Sequence, residues 1–285
     1  MKNLSLSRLQ AYRAQTYQTT AKLQVKDIEA GIEFVNRRGF AFFWPIKNID
    51  FPSLWAAVAG DRPVPNNHDD PGHITWGWKD SLLDKRRWYY AKVLRKKATL
   101  ISLEMFPYFY ALSENYGSPA EDHLILYEQG RLSAESKAVY EAILEEGPLD
   151  TVALRRAAHL TSQESNSRFN RALSELQADF KIMPIGVAEA GAWRYAFIYE
   201  IVARYHPEVL DQARMIGEID ARTHLLQRYY HSMGAAPLKD AIRLFGWPAP
   251  QAKRAVQPLL EKGELVEHVS VAHSELEHIA LAELV

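Results

Sequence analysis

From residue 131 onward, apolar side chains recur at helical spacing in three successive stripes and then pass to the tighter alternation of strands. Val139, Tyr140, Ile143 and Leu144 form the first stripe, closed by Gly147-Pro148, a pair that ends helices. Thr151 is placed to cap a second helix carrying Val152, Leu154 and Ala158, and Ser162 to open a third carrying Phe169, Ala172, Leu173 and Leu176. The run "KIMPIGVAEAGAWRYAFIYEI" then reads as two strands joined through Ala-Gly. Downstream the plan repeats. Leu225, Leu226, Tyr229 and Tyr230 precede Gly234; Leu238, Ile242 and Phe245 make a second stripe; Val256, Leu259 and Leu260 make a third before Gly263; "ELVEHVSV" and "ELEHIAL" read as strands.

Three helices followed by a two-stranded wing is the winged-helix plan, a helix-turn-helix variant whose third helix enters a major groove. The polar face of the third helix carries Ser167, Arg168, Arg171 and Ser174 in one unit, and Lys253, Arg254 and Gln257 in the next. The same plan also builds protein-interaction modules, and periodicity does not choose between the two.

The N-terminal part is less regular. "KLQVKDIEAGIEFVNRRG" predicts a helix with Ile28, Ile32 and Val35 inward and a stop at Gly39, followed by the strand "FAFFW". "GDRPVPNNHDDPGH" is a polar loop. Then comes the most basic stretch of the chain, with Lys85, Arg86, Arg87, Lys92, Arg95, Lys96 and Lys97 interleaved with aromatics. Such a stretch serves either to hold phosphates while rings stack on unpaired bases, or as an amphipathic helix with Trp88, Tyr89, Val93 and Leu94 inward. The expected fold is mainly α with small β-hairpins (α+β), a tandem of winged-helix domains over residues 1–130, 131–208 and 209–285.

Charge and composition narrow the partners. The 285 residues carry a net charge of −1, so any nucleic-acid contact must come from local basic patches. Cysteine is absent, which removes thiolate zinc sites and thiol nucleophiles and suits a reducing cytosol. No signal-peptide core and no run of eighteen apolar residues occurs, so a cytoplasmic, membrane-free monomer is expected. His68, Asp69, Asp70 and His73 are metal-ligand types without a fourth partner at recognisable spacing, so no metal is expected. Without a glycine-rich phosphate loop or a nucleophile elbow, no cofactor is expected either. His268, His273 and His278 read as exposed strand or turn residues.

The order of elements, with "FFWPIKNIDFPSLW" and "WGWKDSLL", resembles the AlkZ/YcaQ-type DNA glycosylases and their AlkZ-related branch over about residues 20–280. The resemblance implies tandem winged helices forming a DNA-binding surface, with excision of bulky alkylated bases or unhooking of crosslinks. It also implies damaged or alkylated double-stranded DNA as partner, on the nucleoid. DNA contacts are expected from Trp76, Trp78, Lys79, Arg95, Lys96, Arg168, Arg171, Lys253 and Arg254.

One departure matters. Where active members carry Gln-x-Gln or Gln-x-Asp, the order of elements sets Pro45-Ile46-Lys47, which lacks both water-positioning side chains. Candidate catalytic replacements are Lys47, Asp50 and Asp80, with Asp69 and Asp70 on the intervening loop. Lys47, if desolvated among Phe42, Phe43 and Trp44, is a Schiff-base nucleophile; otherwise it reaches solvent or pairs with Asp50. Three readings follow: a glycosylase with an altered catalytic set, a non-catalytic DNA binder or transcriptional regulator, and a protein-interaction module.

Overall fold

A computed structural model describes residues 2–191, 193–272 and 274–285. The chain opens with β1 (Lys2–Leu4) and α1 (Leu6–Tyr17), and one order of elements then occurs three times. The first pass is α2 (Ile28–Arg38), β2 (Phe40–Phe42), α3 (Leu54–Ala59), α4 (Ile74–Leu82), β3 (Tyr89–Lys92) and β4 (Ala98–Ile101). Short helices α5 (Phe106–Tyr110) and α6 (Asp122–Glu128) lead to the second, which is α7 (Ala134–Glu146), β5 (Leu149–Asp150), α8 (Thr151–Ala157), α9 (Asn166–Ala178), β6 (Ile182–Ala188) and β7 (Ala196–Ile201). After α10 (Val202–Tyr205) and α11 (Glu208–Arg214), the third is α12 (Glu218–Met233), β8 (Ala235–Ala236), α13 (Leu238–Phe245), α14 (Ala249–Glu261), β9 (Leu265–Val271) and β10 (His278–Leu281). The architecture is α+β, mostly helical with small sheets.

Each pass closes its own antiparallel sheet in one order: short strand, last strand, middle strand. The third sheet has one more member, because β1 pairs with β9 in parallel, Lys2 opposite Val269 and Leu4 opposite Val271. In every pass a glycine separates the first helix from the short strand: Gly39, Gly147 and Gly234. At Gly39 and Gly234 the backbone is at φ 79° and 71°, where side chains are disfavoured. A Cβ there would also come 2.9 Å from Met105 Cγ and 2.7 Å from Tyr12 Cδ1, so these turns pass against packed neighbours.

The apolar stripes face inward as their spacing requires. Val139, Tyr140 and Ile143 of α7 and Phe169, Ala172, Leu173 and Leu176 of α9 are buried together, and Ile32, Val35, Phe43, Leu54, Trp78 and Leu100 form a second core. The largest core joins the first and third passes, with Phe40, Phe42 and Phe109 against Tyr229, Tyr230 and Leu244, and with Leu4 and Leu9 from the chain's start. Phe51 stacks on Phe40 (5.2 Å between centroids) and on Tyr229 (5.8 Å). Each such side chain contributes about 1.5–3 kcal/mol by leaving water, so this shared core binds the two passes firmly.

Three expectations are corrected. Asp150, not Thr151, caps α8: its extended backbone lets the carboxylate accept from Val152 N (2.8 Å) and Ala153 N (3.1 Å), while the Thr151 hydroxyl donates to the Phe197 carbonyl. The basic-aromatic stretch is no amphipathic helix. Tyr89 and Ala91 point inward while Lys92 points out, and Arg95 and Lys96 lie at φ 54° and 55°, a left-handed pair no α-helix continues through. His278 is buried, with Nδ1 hydrogen-bonding to the Leu276 carbonyl, whereas His268 is exposed beside Glu267 and Glu277. His273 lies outside the described residues.

Among the described residues no helix is long and apolar enough to cross a membrane.

Candidate nucleic-acid interface and cleft

The β3–β4 turn packs onto α9, and this contact gathers charges that lie far apart in sequence. Lys92 N donates to Gln177 Oε1 (3.1 Å), Lys92 Nζ to Ser174 Oγ (3.5 Å), and Lys96 pairs with Glu175 (3.4 Å). Burial of its stem lowers the Lys92 pKa, and neighbouring Lys97 adds to that. Arg95, Lys96 and Lys97 remain exposed beside the outer face of α9, which shows Ser167, Arg168, Asn170 and Arg171 to solvent. Arg168 is engaged by Glu135 at 2.9 Å. Lys253 and Arg254 are exposed on α14 of the third pass, and Arg254 lines a shallow cavity with Arg222 and Gln251.

Residues 45–50 form a tight turn. Ile46 bridges Ile49, and Asn48 takes the left-handed conformation that asparagine tolerates. Lys47 projects from it into solvent, so enclosure among Phe42, Phe43 and Trp44 does not occur, and Asp50 pairs with Arg13 of α1 instead. Tyr17 donates to Asp50 Oδ1 at 3.0 Å; burial, and then the Asp50 charge, raise the Tyr17 pKa well above 10.0. Arg13 continues to the Met233 (3.0 Å) and Ala235 (2.7 Å) carbonyls, tying the turn to the third pass. The Asp50 carboxylate stands between two cavities of about 500 Å³ each. One is walled by α1, the turn, α13 and β10; the other by α1, Pro45, Ser53 and Asp61.

On the other side of the turn, Trp44 meets Trp55 (6.3 Å), His73 (5.6 Å) and Trp76 (5.8 Å). Trp76 is exposed on α4, but Trp78 belongs to the core and Lys79 is only 2% exposed, so neither of the last two presents a surface. The Lys79 ammonium lies among five rings, nearest Phe197 (4.5 Å) and Tyr90 (5.4 Å), and pairs with Asp80. Tyr195, just before β7, donates to Asp80 Oδ1 (2.9 Å) and accepts from Lys79 (2.9 Å) and Trp76 (3.4 Å). Burial lowers the Lys79 pKa, with Asp80 acting against it.

Of the loop histidines and aspartates, Asp70 and His73 act in structure. Asp70 caps the turn Pro71–His73 and pairs with Arg62 at 2.7 Å, which lowers its pKa, and His73 accepts from the Trp55 indole (3.3 Å). Asp69 lies exposed beside Asn67. No group of three or more candidate ligands converges among the described residues. Sequence reasoning did not single out Arg13, Tyr17 and Tyr195, whose partners are distant in the chain. Nor did it single out Trp193, 91% exposed at the β6–β7 tip, where the Ala-Gly hairpin signal was the available clue.

No curated protein sequence matches the chain. The fold is similar to the solved Streptomyces sahachiroi DNA glycosylase AlkZ, with a TM-score of 0.61 at 13% identity over 99% of this chain and 71% of that one. At such identity the likeness is one of fold. Membership is carried by sequence: residues 25–246 match the family model described as "AlkZ related", and the chain belongs to that family.

Proposed function

We propose that the protein is a tandem winged-helix protein that grips damaged double-stranded DNA and releases a modified base by N-glycosidic hydrolysis. It acts as a monomer in the cytoplasm, on the nucleoid. The threefold recurrence of helix, strand, two helices and hairpin supports the winged-helix reading and the division at 1–130, 131–208 and 209–285. Likeness of fold to a DNA glycosylase supports the reaction class.

The observation that carries the reading is the β3–β4 turn seated on α9. It brings Lys92 to Ser174 and Lys96 to Glu175 of α9, one helical turn from Arg171, so exposed cations from two units lie along the same contact although the molecule is nearly neutral. Cleavage passes through a sugar with oxocarbenium character, which a carboxylate stabilises. Asp50 meets this need best: it is reachable, held from two sides by Arg13 and Tyr17, and bordered by space for a base and for water. Asp80 is more sheltered and already engaged by Lys79 and Tyr195. Lys47, in solvent, meets phosphate. Trp76 offers a ring for stacking, and Lys253 and Arg254 extend the contact on the third unit.

Binding of a duplex is measured against salt; a steep decline is expected, and a flat profile points to a protein partner instead. Base release from alkylated and crosslinked duplexes is then compared with Asp50→Asn, which is expected to lose about a hundredfold in rate while binding as before. Full release by Asp50→Asn with loss in Asp80→Asn moves the role to α4. Pro45-Ile46-Lys47 in place of the family's paired polar side chains favours a second reading, a DNA binder or regulator without chemistry. Tight binding with no release from any lesion establishes it.

A further inference from the structure

Arg222 Nη1 and Gln251 Oε1 are buried and have no hydrogen-bond partner among the described residues, and both side chains wall one cavity of about 380 Å³ where α12 and α14 begin. That volume lies within the range of small-molecule sites. Arg222 is only 9% exposed. Its Nε and Nη2 both donate to Glu218 Oε1 (3.3 and 3.1 Å), and its Cζ lies 4.7 Å from the centre of the Trp247 ring, so the guanidinium is fixed with one donor group left over. A buried charged donor and a buried acceptor that bond to nothing are costly unless a guest completes them.

The rest of the wall selects the guest. α12 opens at Gly217 with no side chain capping it, so the N–H groups of its first turn, at the cavity's edge, favour an anion. Arg254 adds a second cation. Glu218 and Asp220 stand in the same wall, the Asp220 carboxylate reaching back to within 3.2 Å of where a Cβ on Gly217 would lie. Together with Gln251 Oε1 these are acceptors, and they disfavour an anion that has no proton to share. Sulfate and a phosphodiester are such anions. A phosphomonoester carrying one proton is not: its bare oxygens accept from arginine and helix N–H groups while its P–OH donates.

We propose that this cavity binds a phosphomonoester in its singly protonated form, with Arg222 donating to a phosphoryl oxygen and Gln251 Oε1 accepting from the P–OH. Such a group is carried by a free nucleotide and by the terminus of a DNA strand; the second source rests on the DNA reading above, and the site itself does not.

The test titrates the full chain by calorimetry with inorganic phosphate, sulfate and dimethyl phosphate. Phosphate is expected to saturate the site, and sulfate and dimethyl phosphate to bind about tenfold more weakly or worse. Phosphate affinity is expected to fall as pH rises from about 6 to about 8, because the P–OH is lost. Arg222→Met removes the buried donor, and Ile219→Glu adds a carboxylate to the cavity wall at a first-turn helix position that tolerates one. Each is expected to weaken phosphate binding about tenfold. Ile219→Glu is expected to keep the wild-type melting temperature, so it decides the matter if Arg222→Met folds poorly. Gln251→Met is expected to narrow the gap between phosphate and sulfate. Two nicked duplexes, one ending in a phosphate at the nick and one in a hydroxyl, separate the sources. Preference for the phosphate, lost in Ile219→Glu, assigns the strand end; equal affinities, with inorganic phosphate still bound, assign a free phosphomonoester. No saturation at about 10 mM phosphate overturns the proposal, as does equal affinity for sulfate or wild-type phosphate affinity in Ile219→Glu. Phosphate binding by a chain that binds no duplex overturns the DNA reading and leaves the site standing.

Discussion

Taking the Lys79 ammonium out of water costs several kcal/mol unless its surroundings repay it. Here they consist of Asp80, the Tyr195 hydroxyl and the faces of Phe43, Trp76, Tyr90, Tyr195 and Phe197, all within 6.0 Å. Because two of the rings and the hydroxyl come from the second unit, this one side chain fastens α4 to β7. Its pKa is lowered from 10.5, so in the interval below 10.5 the unfolded chain holds a proton that the folded chain has lost. Stability therefore rises with pH there. Urea unfolding from about pH 7 to about pH 10 is expected to show this rise in the wild type and not in Lys79→Met. His206 gives a second test of the same sign in a lower window: it is buried and its pKa is lowered from 6.5, so stability falls as pH drops below 6.5, a fall that His206→Gln is expected to reduce. The sequence marked "WGWKD" as chemically unusual, yet Trp78 turns into the first unit's own core and burial of Lys79 depends on Tyr195 and Phe197, over a hundred residues away. Asp50 was legible as a candidate; Arg13 and Tyr17 were not, for the same reason.

Hairpin and helix together make the basic face, and the two arginines of α9 are not equivalent within it. Arg168 must leave Glu135 before it meets a phosphate, whereas among the described residues no salt bridge holds Arg171. Arg171→Ala is thus expected to weaken duplex binding more than Arg168→Ala, and the double change to reduce the salt slope by about 2 units across all sequences, as read by fluorescence anisotropy. The second and third passes were readable because a glycine closes the first helix of each and all three helices of the third. The first was hidden, since its short strand and helices are separated by the turn at 45–50 and the polar loop before Pro71. In β3 the cations follow the aromatics at intervals that imitate a helical face, and only the left-handed Arg95-Lys96 pair breaks that rhythm.

Across the whole molecule, the first and third units share a core to which the second adds Phe180, Met183 and Val202, and the second also has a core of its own. Leu9 of α1 is buried in that shared core, so Leu9→Ala is expected to cost about 2–5 kcal/mol and to lower the melting of both units in one transition. Fluorescence from the first unit's tryptophans and from Trp247, followed in variants that keep one group or the other, checks that the two curves coincide. No local pattern announces β1, because three residues carry too little periodicity and the partner strand is at the far end of the chain. That pairing also constrains how the protein is made. The edge emerging with Lys2–Leu4 has nowhere to dock until Val269–Val271 leaves the ribosome, so a chain interrupted before that point carries an unmatched leading segment.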